Sequence, residues 1–149
     1  MSNVAIKPFV ASNIIPAVSA AAATASSAAF VLPPGYSYSL VLDVATVTGT
    51  SPTMDVVLQT SWDNGTTFID LPLRYTQVTA AVLRYLVFRN GLGMNEVALE
   101  QVAADTGGTL AKNCNFDPFN MKIKYTIGGT NPAFTFKVHL FALPYATLP

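Results

Sequence analysis

The stretch Met54-Asp55-Val56-Val57-Leu58-Gln59-Thr60-Ser61-Trp62-Asp63-Asn64-Gly65-Thr66-Thr67-Phe68-Ile69 decides the fold class. Met54, Val56, Leu58 and Trp62 fall on one face, while Asp55, Gln59 and Ser61 fall on the other, the period-two pattern of a half-buried strand. Asn64-Gly65 supplies the two positive-φ positions that a tight hairpin turn needs. Residues 54–62 and 66–71 are therefore expected to pair as a hairpin, with Trp62 in the core beside Val56 and Leu58.

The same period extends in both directions. Upstream, Tyr38, Leu40, Leu42 and Val44 alternate with Ser37, Ser39, Val41 and Asp43. Downstream, Leu83 to Phe88 is apolar on both faces, as in a central strand, with Arg84 and Arg89 marking contact with solvent or a partner. Met121, Ile123, Tyr125 and Ile127 alternate with Lys122, Lys124 and Thr126; Phe134, Phe136, Val138 and Leu140 alternate with Thr135, Lys137 and His139. Gly49-Thr50-Ser51-Pro52 and Gly129-Thr130-Asn131-Pro132 each lie between two alternating runs, and are read as turns closing two hairpins. Between residues 90 and 115 four glycines break the pattern. Asn95 is placed to cap a short helix over Glu96 to Ala103, a strand fits nearly as well, and the segment is read as a contact loop. Short strands with Gly, Pro and Asn turns predict an all-β chain, an antiparallel β-sandwich or jelly-roll-like single domain over residues 34–149.

Residues 1–33 read differently. Ala17 to Phe30 is almost wholly Ala, Ser and Thr, without charge or an amphipathic stripe, and Pro8, Pro16, Pro33 and Pro34 bracket it. It is read as an extended N-terminal arm, with room for one strand at Phe30 to Leu32, and its deletion is expected to leave the sandwich folded. Ser12, Asn13 and Pro16 interrupt the apolar run after Lys7, which argues against a cleaved signal. No run approaches the roughly 18 apolar residues of a membrane span.

Hydrophobic residues make up 51% of the 149-residue chain and charged residues 11%, against about 25% charged in ordinary soluble domains. With so few charges, either the fold is very compact or much of its surface meets other proteins, since apolar surface left over after a core is built marks interaction sites. The formal net charge is zero. Lys122 and Lys124 lie near each other on an outward strand face, but phosphate-driven binding of nucleic acid needs more clustered cations.

Catalytic signals are sparse, and no catalytic, cofactor-binding or metal residue is assigned. His139 is the only histidine and sits at an outward strand position, so a serine or cysteine mechanism would have to use it. Cys114 is the only cysteine, which excludes an internal disulfide, and one His with one Cys cannot complete a zinc site. Asp63, Asn64 and Asp70 flank the hairpin turn without calcium-loop spacing, and turn formation accounts for them. Gly91-Leu92-Gly93 lacks the further glycine of a dinucleotide loop. Trp62, Phe68, Tyr36, Tyr38 and Tyr75 could form a sugar-stacking platform, although apolar residues at period two are more often core.

One run carries a resemblance: Leu42-Asp43-Val44, Gly49 to Ser61 with its Gly-Thr-Ser-Pro and Leu-Gln, Asp63-Asn64-Gly65-Thr66-Thr67-Phe68-Ile69-Asp70, Thr76-Gln77-Val78-Thr79, and the C-terminal Gly128-Gly129-Thr130-Asn131-Pro132-Ala133-Phe134-Thr135-Phe136. Over about residues 38–143 the chain resembles small β-sandwich virion proteins of tailed bacteriophages, the capsid decoration or cement proteins. The Ala-rich arm and residues 90–115 lie outside the resemblance. It implies a non-enzymatic structural role on the virion capsid exterior, bridging neighbouring copies of the major capsid protein, often as a homotrimer, without cofactor, nucleic acid or membrane. The alternative is a tail-associated carbohydrate- or receptor-binding β-sandwich module, which an exposed aromatic cluster around Trp62 would favour.

Overall fold

The computed structural model describes residues 9–32, 36–90, 98–102, 110–111 and 120–144. Within them all regular structure is β: β1 (Phe9–Ala21), β2 (Ala25–Ser26), β3 (Tyr36–Ser61), β4 (Phe68–Arg74), β5 (Val82–Asn90), β6 (Ala98–Val102), β7 (Leu110–Ala111) and β8 (Met121–Pro144). Every pairing is antiparallel. The strands belong to one sheet of order β1-β8-β3-β5-β6-β7, with β2 added to β8 and β4 to β3.

The spine of the sheet is a two-stranded ribbon. β3 and β8 pair along their whole lengths, from Tyr36↔Pro144 to Thr60↔Met121. The Gly-Thr-Ser-Pro and Gly-Thr-Asn-Pro tetrapeptides are consequently not hairpin turns. They face each other in mid-ribbon, where the register shifts between Val44 and Thr53. Gly49 (φ 112°) and Ser51 (φ 50°) mirror Gly129 (φ 111°) and Asn131 (φ 48°). A Cβ on Gly49 would stand 2.6 Å from the Asn131 carbonyl oxygen, and one on Gly129 would stand 2.6 Å from that of Ser51. Both the positive φ and the close backbone approach demand glycine. These paired irregularities bend both strands together, because a bulge bends the strand that carries it.

The bend makes two limbs that face each other. Limb one holds Tyr36–Val44 of β3, Phe134–Pro144 of β8, β1, β5, β6 and β7. Limb two holds Met54–Ser61 of β3, Met121–Ile127 of β8, β2 and β4. Among the contacts that join them, Tyr75, after β4, donates its hydroxyl to the Leu40 carbonyl at 2.5 Å, Arg84 of β5 donates to the Thr76 carbonyl, and the Tyr125 and Phe136 rings meet edge to face with centroids 5.0 Å apart. The inward residues of both limbs form one core. Tyr38, Leu40, Leu42, Phe134 and Phe136 come from limb one, Met54, Val56, Leu58, Met121 and Ile123 from limb two, and all are fully buried. Alternation along each run thus places the apolar set inward, as expected, but the two layers are limbs of one curled sheet.

The hairpin read from the sequence is present, with Ser61↔Phe68, Thr60↔Ile69 and Gln59↔Asp70 in register. Leu83 to Phe88 lies in β5, between β3 and β6 as a central strand should. Of the two readings of Glu96 to Ala103, the strand holds: Ala98–Val102 is β6. Residues 91–97, 103–109 and 112–119, and with them Gly91-Leu92-Gly93, Asn95 and Cys114, lie outside the described residues.

Over its described residues, 9–32, the arm is extended and runs along the outer edge of β8. β1 pairs with Phe134 to Ala142, β2 with Lys124 and Tyr125, and Phe30 bridges to Met121, which is all that remains of the expected strand over Phe30 to Leu32. Ile15 and Leu32 reach the core, at 4% and 0% exposure. Loss of the arm would therefore uncover the edge of that core.

Candidate interaction surfaces

In an antiparallel pair, directly opposed residues share a face, so the register defines the outward surface of limb one. Asp43 aligns with Leu83 and Lys137, Val41 with Tyr85 and His139, and Ser39 with Val87 and Phe141. Leu83 and Phe141 are 44% and 46% exposed, and Val41, Tyr85, Val87 and His139 are half-buried. Among the described side chains of these three rows the charges are Asp43 and Lys137, and they neutralise each other across the β3–β8 pair at 3.2 Å. The result is a largely apolar outer face on which the charges of these rows balance. His139 points outward as expected, with its ring 6.4 Å from that of Phe141.

The outward face of limb two is polar. Gln59 donates to Asp70 at 2.7 Å, Lys124 lies 3.6 Å from the same carboxylate, and Gln77 donates to both oxygens of Asp55 at 3.1 and 3.2 Å. Lys122 sits 4.1 Å above the Phe68 ring. The two lysines are therefore outward, as the alternation predicts, and are tied into local pairs. Gln59 faces outward too, yet is buried because Asp70 and Lys122 flank it in register. Where β4 slips against β3 between Val57 and Gln59, a cleft of about 460 Å³ opens, lined by Asp55, Asp70, Arg74 and Thr126 over a floor that includes Val56 and Tyr75. Both carboxylates in it already accept amide hydrogen bonds, and His139 lies on the other limb. Among the described residues no group of three or more His, Cys, Asp or Glu could hold a metal ion, and no helix is long and apolar enough to cross a membrane.

The third surface is the hairpin tip. Ser61 ends β3 with its hydroxyl at the centre of a small network: it donates to Asp63 Oδ1 at 2.9 Å and accepts from the Gly65 and Asp63 amides at 2.7 and 3.3 Å. Asp63 Oδ1 also accepts the Thr67 amide at 2.6 Å. That bond holds the Asp63 carboxyl below its ordinary value, because the amide favours the charged form. Asn64 and Gly65 take φ of 58° and 89°, and Asn120 donates to Asn64 at 3.5 Å. Asp63 and Asn64 are thus turn-formers.

Trp62, expected in the core, is 71% exposed. The strand ends at Ser61, so alternation no longer governs the next position, and Thr60 takes the last inward place of the run. The other aromatics of the platform considered above do not gather around it. Tyr38 and Tyr75 are core residues, Tyr36 stacks obliquely on Tyr38, and Phe68 lies under Lys122. The sequence signal for an exposed Trp62 was its adjacency to Asp63-Asn64-Gly65, since a residue abutting a turn escapes the strand's period. Comparison with models of known families, with curated proteins and with solved structures finds no match for this chain.

Proposed function

We propose that this chain is a structural protein that works by packing against other proteins, and specifically a virion protein that decorates or cements a bacteriophage capsid. The observation that carries the reading is the outer face of limb one, where Leu83 and Phe141 lie open beside Val41, Tyr85 and Val87 with no unbalanced charge among the described side chains. Apolar residues gathered on one face, with no net charge between them, are what a protein partner covers. The resemblance over residues 38–143 supplies the finer reading: a homotrimer on the capsid exterior that bridges copies of the major capsid protein, without enzymatic activity, cofactor, nucleic acid or membrane. Repetition over a lattice multiplies weak contacts through effective concentration. Mass spectrometry of purified particles tests this. The chain recovered in fixed stoichiometry with the shell protein supports it, and its absence from intact particles refutes it.

One observation favours the second reading, a tail-associated carbohydrate- or receptor-binding module. Trp62 stands open beside a turn fixed by hydrogen bonds, and an exposed aromatic face suits a sugar ring or an apolar pocket. Glycan-array binding abolished by Trp62→Ala would decide for it.

A further inference from the structure

The N-terminal strand is seated poorly on its own sheet. Along β1 the partner pairs run Phe9↔Ala142, Ser12↔Leu140, Asn13↔His139, Ile15↔Val138, Val18↔Phe136 and Ala21↔Phe134, with four register shifts in 13 residues. By contrast β3 and β5 pair over nine consecutive residues without a shift. Among the described side chains of β1, Ile15 alone is fully buried; Ile14, Val18 and Ala21 are partly covered, and Ser19 and Ala20 are exposed. The strand also leaves a groove of about 280 Å³ against the other limb, lined by Ile14, Ile15, Val18, Ser26, Ser27 and Tyr125. A strand with a broken ladder, whose apolar residues do not alternate, specifies its register weakly, and weak register invites exchange between copies.

A second, independent feature lies at the end of that strand. Ala20 has φ 53°, a left-handed conformation that alanine adopts only under strain. It stands where the chain leaves β1 and crosses, through exposed Ala22, Ala23 and Thr24, to β2 on the other limb. Extending this short connection relieves the strain, and strained short hinges favour swapped strands.

We infer that β1 is an exchangeable strand: in the assembled state the Phe9–Ala21 segment of one copy occupies the Phe134–Ala142 edge of β8 in a second copy. The occupant is the same segment on the same edge, so exchange preserves every pairing and releases the hinge. It rests on the self-packing part of the proposed function, because copies must be held close enough for the open hinge to reach across.

The test uses the full chain in a Cys114→Ser background, which removes its own thiol. Asn13→Cys is placed in one tagged population and His139→Cys in another; the two positions are Cα partners in the ladder. Neither variant can bridge within one chain, so a short bis-maleimide that links Asn13→Cys to His139→Cys reports exchange alone. Covalent heterodimer is expected when the mixed populations are unfolded and refolded together at assembling concentration. Adding Ala20→Gly, which removes the hinge strain, is expected to lower its yield roughly fivefold. The inference is overturned if the mixture gives no heterodimer while a chain carrying both cysteines bridges internally. Sedimentation of the same samples separates the two levels of the account. Association without cross-linking overturns exchange and leaves self-packing standing, whereas a monomer without cross-linking overturns both.

Discussion

Asp63 shows how much of this molecule depends on single polar atoms. Its carboxylate holds the Thr67 amide and the Ser61 hydroxyl, and the first of these keeps its pKa below the ordinary value. A lowered folded value means that the charged form stabilises the turn above the unfolded value of about 3.9, and that this stabilisation fades as pH falls through the lowered value. Acid titration followed by NMR should therefore show the Thr67 amide losing hydrogen-exchange protection below about pH 4, and Asp63→Asn should flatten that response. Ser61→Ala removes a fully buried hydroxyl that satisfies two amides, and should cost about 1–3 kcal/mol in urea denaturation. Phe136, fully buried against Tyr125, should cost about 3–5 kcal/mol when cut to alanine. Phe136 could be read from alternation alone, whereas Trp62 could not, because its exposure depends on the strand stopping one residue earlier.

At the scale of elements, the paired bend decides the architecture. Gly49→Ala and Gly129→Ala each force a Cβ to within 2.6 Å of a carbonyl oxygen across the ribbon at a φ above 110°. Each should lose about 1–3 kcal/mol by thermal or urea unfolding, and the two losses should be similar because the sites mirror each other. The strands themselves were legible from period-two alternation in residues 36–44, 54–61, 121–127 and 134–140. What their sequence could not reveal is which partner each run takes. Gly-Thr-Ser-Pro between two runs describes a hairpin corner and a mid-strand bulge equally well, and only the facing Gly-Thr-Asn-Pro, 80 residues later, decides between them. The arm was illegible for a related reason. In β1 the apolar residues fall in the adjacent pairs Phe9-Val10 and Ile14-Ile15 and so do not alternate, and the strand takes its position from the exposed edge of β8.

For the whole molecule, the balance of surface and charge carries the functional argument. Removing residues 1–33 takes away Ile15 and Leu32, two core side chains at about 1.5–3 kcal/mol each. The truncated chain should unfold at markedly lower urea concentration, besides losing any role of the arm in assembly. Charges placed on the outer face of limb one should act in the opposite sense: Leu83→Glu and Phe141→Glu leave the core intact, so folding should persist while association fails. The apolar surplus was visible in composition, but its location was not, because Val41, Leu83, Tyr85 and Phe141 meet only through the β8-β3-β5 pairing. Sedimentation velocity on the purified full chain and on the Leu83→Glu, Phe141→Glu double variant tests the central claim most directly. The account predicts concentration-dependent association for the native chain and a 15.8 kDa species for the variant. A native chain that sediments as that same single species at every concentration and binds no shell protein would contradict it.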